Sequence, residues 1–131
     1  MRTYITIVLL FLALSNTKCK KEENNYAQNI QGTWVRAYSS YTSVGLAYPT
    51  AGTIYKVNFN RTTATLYIND TLFQREHFTI TKYQDPYYKK EMPRLNSKYI
   101  FGGPFYITED TLCIYHPDLY DAPNDYYIRY K

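Results

Sequence analysis

The sequence predicts an all-β protein, a small antiparallel meander barrel of about eight strands. Two observations support this prediction. After residue 30, short segments alternate apolar and polar residues with a period of two, and turn sequences rich in Asn and Asp separate them. No segment shows helical periodicity over three turns. An antiparallel meander of this size closes into an up-and-down barrel, which removes exposed strand edges, or packs as a β-sandwich, and the sequence leaves both open.

The first 18 residues are typical of a secretion signal. Arg2 supplies a positive charge, residues 4–14 form an apolar run, and a polar stretch follows. The run is shorter than the roughly 20 residues that span a bilayer. The order of charge, apolar run and polar stretch is what export machinery recognises. We therefore predict a signal peptide over 1–18, with a buried strand or helix of the domain as the alternative.

Cys19 and the charged residues after it indicate membrane anchoring. The segment 19–25 (CKKEENN) resembles the start of Gram-negative lipoproteins, whose mature N-terminal Cys carries acyl chains. Lys21-Glu22-Glu23 is similar to the surface-export signal of one branch of that class. The resemblance implies that Cys19 is acylated and anchors the protein in the outer membrane, surface-exposed or facing the periplasm. The alternative is cleavage after Ser15, which leaves Cys19 as a free thiol.

Residues 19–29 are polar and charged, so we expect a flexible tether, followed by one β domain over 30–131. The first half of this domain contains four predicted strands, at 33–41, 53–59, 63–68 and 71–83. One face of the second strand carries Tyr55, Val57 and Phe59, and one face of the third carries Ala64, Leu66 and Ile68. The turn sequences 60–62 and 69–70 between these strands predict hairpins.

Residues 83–98 interrupt the alternation. This stretch has two prolines, many charges and no periodicity, so it predicts a long loop. Further strands are predicted at 99–101, 105–108, 111–116 and 126–130, with turns at 102–104 and 109–110.

Composition argues against an electrostatic partner. The chain has 15 basic and 11 acidic residues, and loss of Arg2 and Lys18 with the signal leaves 13 basic residues and a formal charge of +2. This balance gives no strong attraction to nucleic acid, although Lys89, Lys90, Arg94 and Lys98 form a basic cluster with Tyr87 and Tyr88 in the predicted loop. Tyrosine is unusually frequent, at 17 of 131 residues, and it suits strands that have one face in the core and one face exposed to solvent.

Gly32-Thr33-Trp34 opens the first predicted strand and resembles the Gly-x-Trp motif of lipocalin-type barrels. In that family the Trp plugs the closed end of the barrel, and an Arg from a late strand lies across its ring. The resemblance implies that Gly32, Trp34 and Arg129 pack together there. The cation–π contact contributes about 0.5–2 kcal/mol. The chain is similar to the short lipocalin-like lipoproteins, because it is brief and has no candidate C-terminal helix.

Signals for catalysis or for a cofactor are weak. The two histidines, His77 and His116, each have an acid nearby, Glu76 and Asp118, but a zinc site needs three or four convergent ligands. No phosphate loop, dinucleotide fingerprint or nucleophile elbow occurs, and Cys113 lies in an apolar strand typical of an inert buried thiol. We therefore expect a non-enzymatic protein without metal or cofactor.

Two hypotheses for function remain. The first is a binder that holds a small apolar or amphipathic molecule in the barrel mouth, since eight-stranded barrels have room for side chains or one small ligand. The second is a surface interaction module that binds a glycan or a protein through exposed tyrosines and the 83–98 loop.

Overall fold

The structure is a computed structural model that describes residues 23–41, 43–86, 89–98, 102–117 and 122–131. The predicted signal peptide 1–18 and the predicted lipidation site Cys19 lie outside the described residues. So do Tyr87, Tyr88, the predicted strand 99–101 and Asp118. Within the described part of the chain, no helix is long and apolar enough to cross a membrane.

The described residues form one short helix and nine strands. The helix α1 is Glu23–Asn29, and the strands in chain order are β1 Gly32–Tyr41, β2 Gly45–Ala47, β3 Tyr55–Asn60, β4 Thr63–Ile68, β5 Thr71–Gln84, β6 Glu91–Ser97, β7 Gly102–Thr108, β8 Thr111–Ile114 and β9 Asn124–Arg129. Strand β1 and strands β3 to β9 pair in an antiparallel meander, and β9 pairs back with β1. The predicted all-β meander barrel is confirmed, with β2 as an extra strand against β1.

The interior of the barrel is an apolar core built from the inward faces of the strands. Its residues are almost fully buried: Ile30, Trp34, Val57, Phe59, Ala64, Phe78, Leu95, Phe105, Leu112, Ile114 and Tyr127. Phe59 and Phe78 pack edge to face with ring centroids 5.2 Å apart. Burial of each large apolar side chain contributes about 1.5–3 kcal/mol, so this cluster is the main source of stability.

The predicted hairpin at 69–70 has a specific backbone cause. Asn69 and Asp70 both adopt positive φ angles, 49° and 63°. Two such residues in succession form the tight turn that matches the twist of antiparallel strands, and Asn and Asp tolerate this conformation best after Gly.

The prediction of a loop over 83–98 was wrong. Strand β5 continues to Gln84 and β6 begins at Glu91, so the connection covers only 85–90. Leu95 lies opposite Ile80 and is fully buried, which draws β6 into the sheet despite its charges. Pro93 is tolerated in β6 because the pairing of β6 with β7 extends only over residues 94–96.

The predicted turn at 102–104 was also wrong, because these residues open strand β7. Gly103 is required there by a close approach between backbones. A Cβ at Gly103 would lie 2.2 Å from the carbonyl oxygen of Tyr115. The glycine therefore marks a packing contact in a strand, which sequence alone does not distinguish from a turn.

Two further elements differ from the expectation. The helix α1 occupies the second half of the segment predicted as a flexible tether, and the Ile30 N–H donates to the Tyr26 carbonyl at its end. Strand β2 was not predicted, because its three residues are all exposed and carry no alternation.

Candidate functional site

The structure brings Gly32, Trp34 and Arg129 together at the end of the barrel where α1 meets β1. The Arg129 guanidinium carbon lies 4.1 Å from the centroid of the Trp34 ring. Trp34 is fully buried, and its Nε1 donates to the Ile30 carbonyl at 2.8 Å. Gly32 has a φ of +110°, and a Cβ on it would approach Arg129 Nη1 to 3.3 Å. The three residues close this end of the barrel.

Arg129 also fastens the helix to the barrel. Its Nη2 donates to the Asn29 carbonyl at 2.8 Å, and its Nη1 donates to the Gln31 carbonyl at 2.9 Å. The Asn29 carbonyl is one of the groups that a helix end leaves without intrahelical partners, and the cation satisfies it. The arrangement is structural, but it fixes the position of α1, and a cavity lies beside that helix.

A cavity of about 620 Å³ lies between α1, the β3–β4 turn and the β5–β6 hairpin, and we call it the helix cavity. It exists because β5 extends past the end of β4. The pairing of these strands stops at Thr63 and His77, and the Phe78 N–H donates to the Thr62 carbonyl at 2.9 Å. From Phe78 onward, β5 pairs with β6 and borders the cavity.

The lining of the helix cavity is amphipathic. Phe78, Ile80 and Pro93 form an apolar wall, and Tyr26 and Ala27 of α1 line it as well. Arg61, Lys82 and Glu91 bring charge to the same cavity. Lys82 Nζ lies 3.2 Å from Glu91 Oε1, and both side chains are well exposed. The cavity therefore offers apolar surface beside charges that remain in contact with solvent.

A polar cluster lies inside the barrel, further along β1 and β9. The Asp125 carboxylate accepts hydrogen bonds from Arg36 Nη2 at 2.7 Å and from Ser39 Oγ at 2.6 Å. His116 Nε2 lies 3.7 Å from the second carboxylate oxygen, and His116 Nδ1 lies 3.0 Å from the Gly102 carbonyl. Ser39 bonds to Asp125 and not to the imidazole, so the cluster lacks the order of a hydrolytic triad.

The protonation of this cluster follows from these contacts. Contact with the Asp125 carboxylate raises the pKa of His116, and burial only partly opposes this effect. Burial disfavours ionised Asp125, yet His116, Ser39 and Arg36 together hold its pKa below the ordinary value. The sequence placed Asp118 near His116, whereas the structure supplies Asp125 from a different strand. No local sequence signal predicts the pairing of Arg36 with Asp125.

Cys113 is buried under tyrosines on the outer face of the barrel. The strand register places Tyr38, Tyr126, Cys113 and Tyr106 in one row across four strands. The rings of Tyr38 and Tyr126 stack at 4.5 Å, and Tyr48 lies 6.1 Å from Tyr38. Burial raises the pKa of the Cys113 thiol, which disfavours the reactive thiolate.

The basic cluster predicted from residues 89–98 is dispersed. Lys89 and Lys90 lie before β6 and Lys98 lies after it, so Lys90 and Lys98 are eight residues apart, about 26 Å at 3.3 Å per residue. Arg94 stacks on Tyr83 with 5.4 Å between the guanidinium carbon and the ring centroid. His77 lies apart from His116, with Nδ1 3.3 Å from the Thr62 carbonyl.

Comparisons with protein-family models, with curated proteins and with solved structures found no match to this chain. Among the residues that the structure describes, no group of three or more His, Cys, Asp or Glu side chains lies close enough to hold a metal ion.

Proposed function

We propose that this protein is a non-enzymatic binding protein that holds a small amphipathic molecule in the helix cavity. The observation that carries the proposal is the cavity itself, about 620 Å³ with an apolar wall and charged residues beside it. Sites for small molecules are concave, measure about 300–1,000 Å³ and combine mostly apolar walls with a few polar groups. The proposal needs neither a cofactor nor nucleic acid.

This proposal moves the ligand from the barrel mouth, where the sequence hypothesis placed it, to the side of α1. Large buried side chains fill the interior from the Trp34 end, and the polar cluster of Arg36, Ser39 and Asp125 occupies it further along, so a ligand that entered through the mouth would disrupt packed side chains. In the helix cavity, the apolar part of a ligand contacts Phe78 and Ile80, and its polar group lies near Arg61 and Lys82. Such a ligand fits without opening the barrel.

A binding titration tests the proposal. The purified full chain is titrated with anilinonaphthalene sulfonate, an amphipathic dye whose fluorescence rises on transfer to an apolar site. We expect saturable binding that Ile80→Glu weakens about tenfold or more, because a charge replaces apolar lining. Leu72→Glu is the matched control, since Leu72 lies on the same strand, is 54% exposed and does not line the cavity.

A second variant separates loss of binding from loss of folding. Tyr26 lines the cavity from α1 and is 47% exposed, so Tyr26→Ala leaves the barrel core intact. It should weaken dye binding, whereas Tyr48→Ala at a 69% exposed tyrosine outside the cavity should not. Equal binding by wild type, Ile80→Glu and Tyr26→Ala would refute the proposal.

The proposed setting is the outer membrane, surface-exposed or facing the periplasm, with acylated Cys19 as the anchor. The signal-like residues 1–18 and the charged segment after Cys19 support it. Cells that express the full chain are labelled with a fatty-acid analogue. The Cys19→Ala form should lose the label and Cys113→Ala should keep it; label on Cys19→Ala excludes this anchor.

A second candidate function is surface recognition of a glycan or a protein through the row of Tyr38, Tyr126 and Tyr106 with neighbouring Tyr48. Tyr48 and Tyr106 are 69% and 40% exposed, and tyrosine supplies large contact area at low entropic cost. Glycan-array or cell binding that Tyr48→Ala with Tyr106→Ala abolishes would support it. The control Phe73→Ala removes another exposed ring, 64% exposed, from a different part of the surface.

A further inference from the structure

A second concave site lies on the outer face of β3, β4 and β5. The strand register aligns Asn58, Thr65 and Arg75 directly opposite one another on these strands. Asn60 and Thr63 form the next cross-strand pair toward the β3–β4 turn, which carries Arg61. These residues line a cavity of about 570 Å³, and we call it the arginine pocket. Cross-strand neighbours lie about 5 Å apart, so one small ligand spans several of them.

The charge of the arginine pocket is uncompensated. Arg61 and Arg75 line it and no carboxylate does. In the part of the chain that the structure describes, neither guanidinium takes part in an ion pair. The nearby acidic residues do not line the pocket. Glu76 lies opposite the core residue Ala64, on the other face of the sheet from Arg75, and Asp70 pairs with Lys56 at 2.6 Å. The pocket therefore favours an anion.

The other lining groups are neutral hydrogen-bonding side chains. Asn58 and Asn60 each carry an amide that both donates and accepts, and Thr65 and Tyr67 carry hydroxyls. Asn58 Nδ2 donates to Thr33 Oγ1 at 2.9 Å, which holds this amide in place on the sheet. Because the site has guanidinium forks beside amides and hydroxyls, it suits a ligand that combines an acidic group with several hydroxyls.

We infer that the arginine pocket binds an acidic sugar, with its carboxylate on Arg75 and Arg61 and its hydroxyls on the Asn and Thr side chains. The polar lining distinguishes this site from the helix cavity, which has an apolar wall. Arg61 and Thr62 border both sites, but Arg75 lines only the arginine pocket. Substitution of Arg75 therefore tests the arginine pocket without changing the lining of the helix cavity.

The test is an NMR titration of the isotope-labelled full chain with glucuronate, and with glucose and acetate as the neutral-sugar and simple-anion counterparts. Glucuronate should shift the amide signals of Thr65 and Arg75 and bind about tenfold or more tightly than either counterpart. Equal binding of acetate would reduce the pocket to a general anion site and overturn the sugar assignment. Absence of shifts with glucuronate would overturn the proposal entirely.

Two variants localise the binding. Arg75→Gln should weaken glucuronate binding about tenfold or more, while Lys90→Gln, which removes an exposed charge elsewhere, should leave it unchanged. Arg75 is exposed, so its replacement should not unfold the barrel, and unchanged dye binding in the helix cavity checks this. Undiminished glucuronate binding by Arg75→Gln would place the ligand elsewhere and refute the site.

The source of the sugar is a separate outcome of the same experiment. Galacturonate is a free acidic sugar like glucuronate, and tri-galacturonate presents the same carboxylate within a short chain. Tighter binding of the trimer than of galacturonate, with loss of both in Arg75→Gln, assigns the pocket to acidic polysaccharide. Equal or weaker binding of the trimer assigns it to free acidic sugars.

Discussion

Arg129 covers the buried ring of Trp34 at 4.1 Å and at the same time donates to the carbonyl of Asn29, the last residue of α1, and to that of Gln31 just beyond it. One side chain therefore joins the last strand, the first strand and the helix. The helix cavity depends on this arrangement, because α1 forms one of its walls.

Replacement of Arg129 by Met should lower the free energy of unfolding by about 2–3 kcal/mol. The estimate combines a cation–π contact of about 0.5–2 kcal/mol with two hydrogen bonds of about 1 kcal/mol each, less the packing that Met retains. Urea unfolding followed by Trp34 fluorescence measures it. Lys90→Met, at an exposed position, should stay within about 0.5 kcal/mol of wild type. An Arg129→Met protein as stable as that control would contradict the structural role.

Gly103→Ala should destabilise the barrel by about 3 kcal/mol, at the upper end for overpacking, because the added Cβ meets a backbone oxygen 2.2 Å away. The neighbouring Gly102→Ala is a matched control, since a Cβ there has nothing within 4 Å. Thermal unfolding of both variants measures how much stability each one loses. If both variants lost the same stability, the cause would be glycine flexibility and not the contact with Tyr115.

The parts of the fold that sequence predicts are those with local causes. Alternation defines the faces of β3 and β4, and Asn69-Asp70 carries its own turn chemistry. The Gly32-Thr33-Trp34 motif pointed to Arg129, and the structure places that residue on the ring. In contrast, β6 was hidden by Pro93 and by its charges, because its pairing depends on a partner strand that composition does not reveal.

The sequence alone predicts neither cavity, because both depend on how the strands are placed relative to one another. The helix cavity arises because β5 extends past β4, which is a matter of relative strand length. The arginine pocket arises because Asn58, Thr65 and Arg75 come into register on three strands. Each of these residues alone reads as an ordinary polar strand position, and only the register brings them together.

His116 should make stability pH-dependent. The groups that face it are Asp125 on β9 and the Gly102 carbonyl on β7, with Arg36 and Ser39 of β1 behind Asp125. The contact with Asp125 raises the pKa of His116 in the folded state above 6.5. The stability that protonated His116 adds through this contact is therefore fully present below pH 6.5, and it is lost as the pH rises through the pKa of His116 in the folded state.

Urea unfolding from pH 5 to pH 9 tests this dependence. His116→Gln should remove the loss of stability above about pH 6.5, the ordinary pKa of His. His77→Gln is the control, because His77 is exposed and its Nδ1 lies 3.3 Å from the Thr62 carbonyl, away from Asp125. A wild-type profile that is flat over this range, or one that only His77→Gln changes, would contradict the assignment to His116.

Asp125→Asn should lower the pKa of His116 toward 6.5, because the carboxylate is the main cause of its elevation. The variant keeps the side-chain shape but removes the charge that Arg36, Ser39 and His116 share. Because Arg36 and His116 are partly buried, we also expect a loss of about 2–3 kcal/mol in the free energy of unfolding. NMR titration of the imidazole signals measures the pKa directly. The control is Asp110→Asn, which removes an exposed partner of Lys131 and should leave the pKa of His116 unchanged. An equal pKa shift in both variants would show a general effect of charge and not the contact with Asp125.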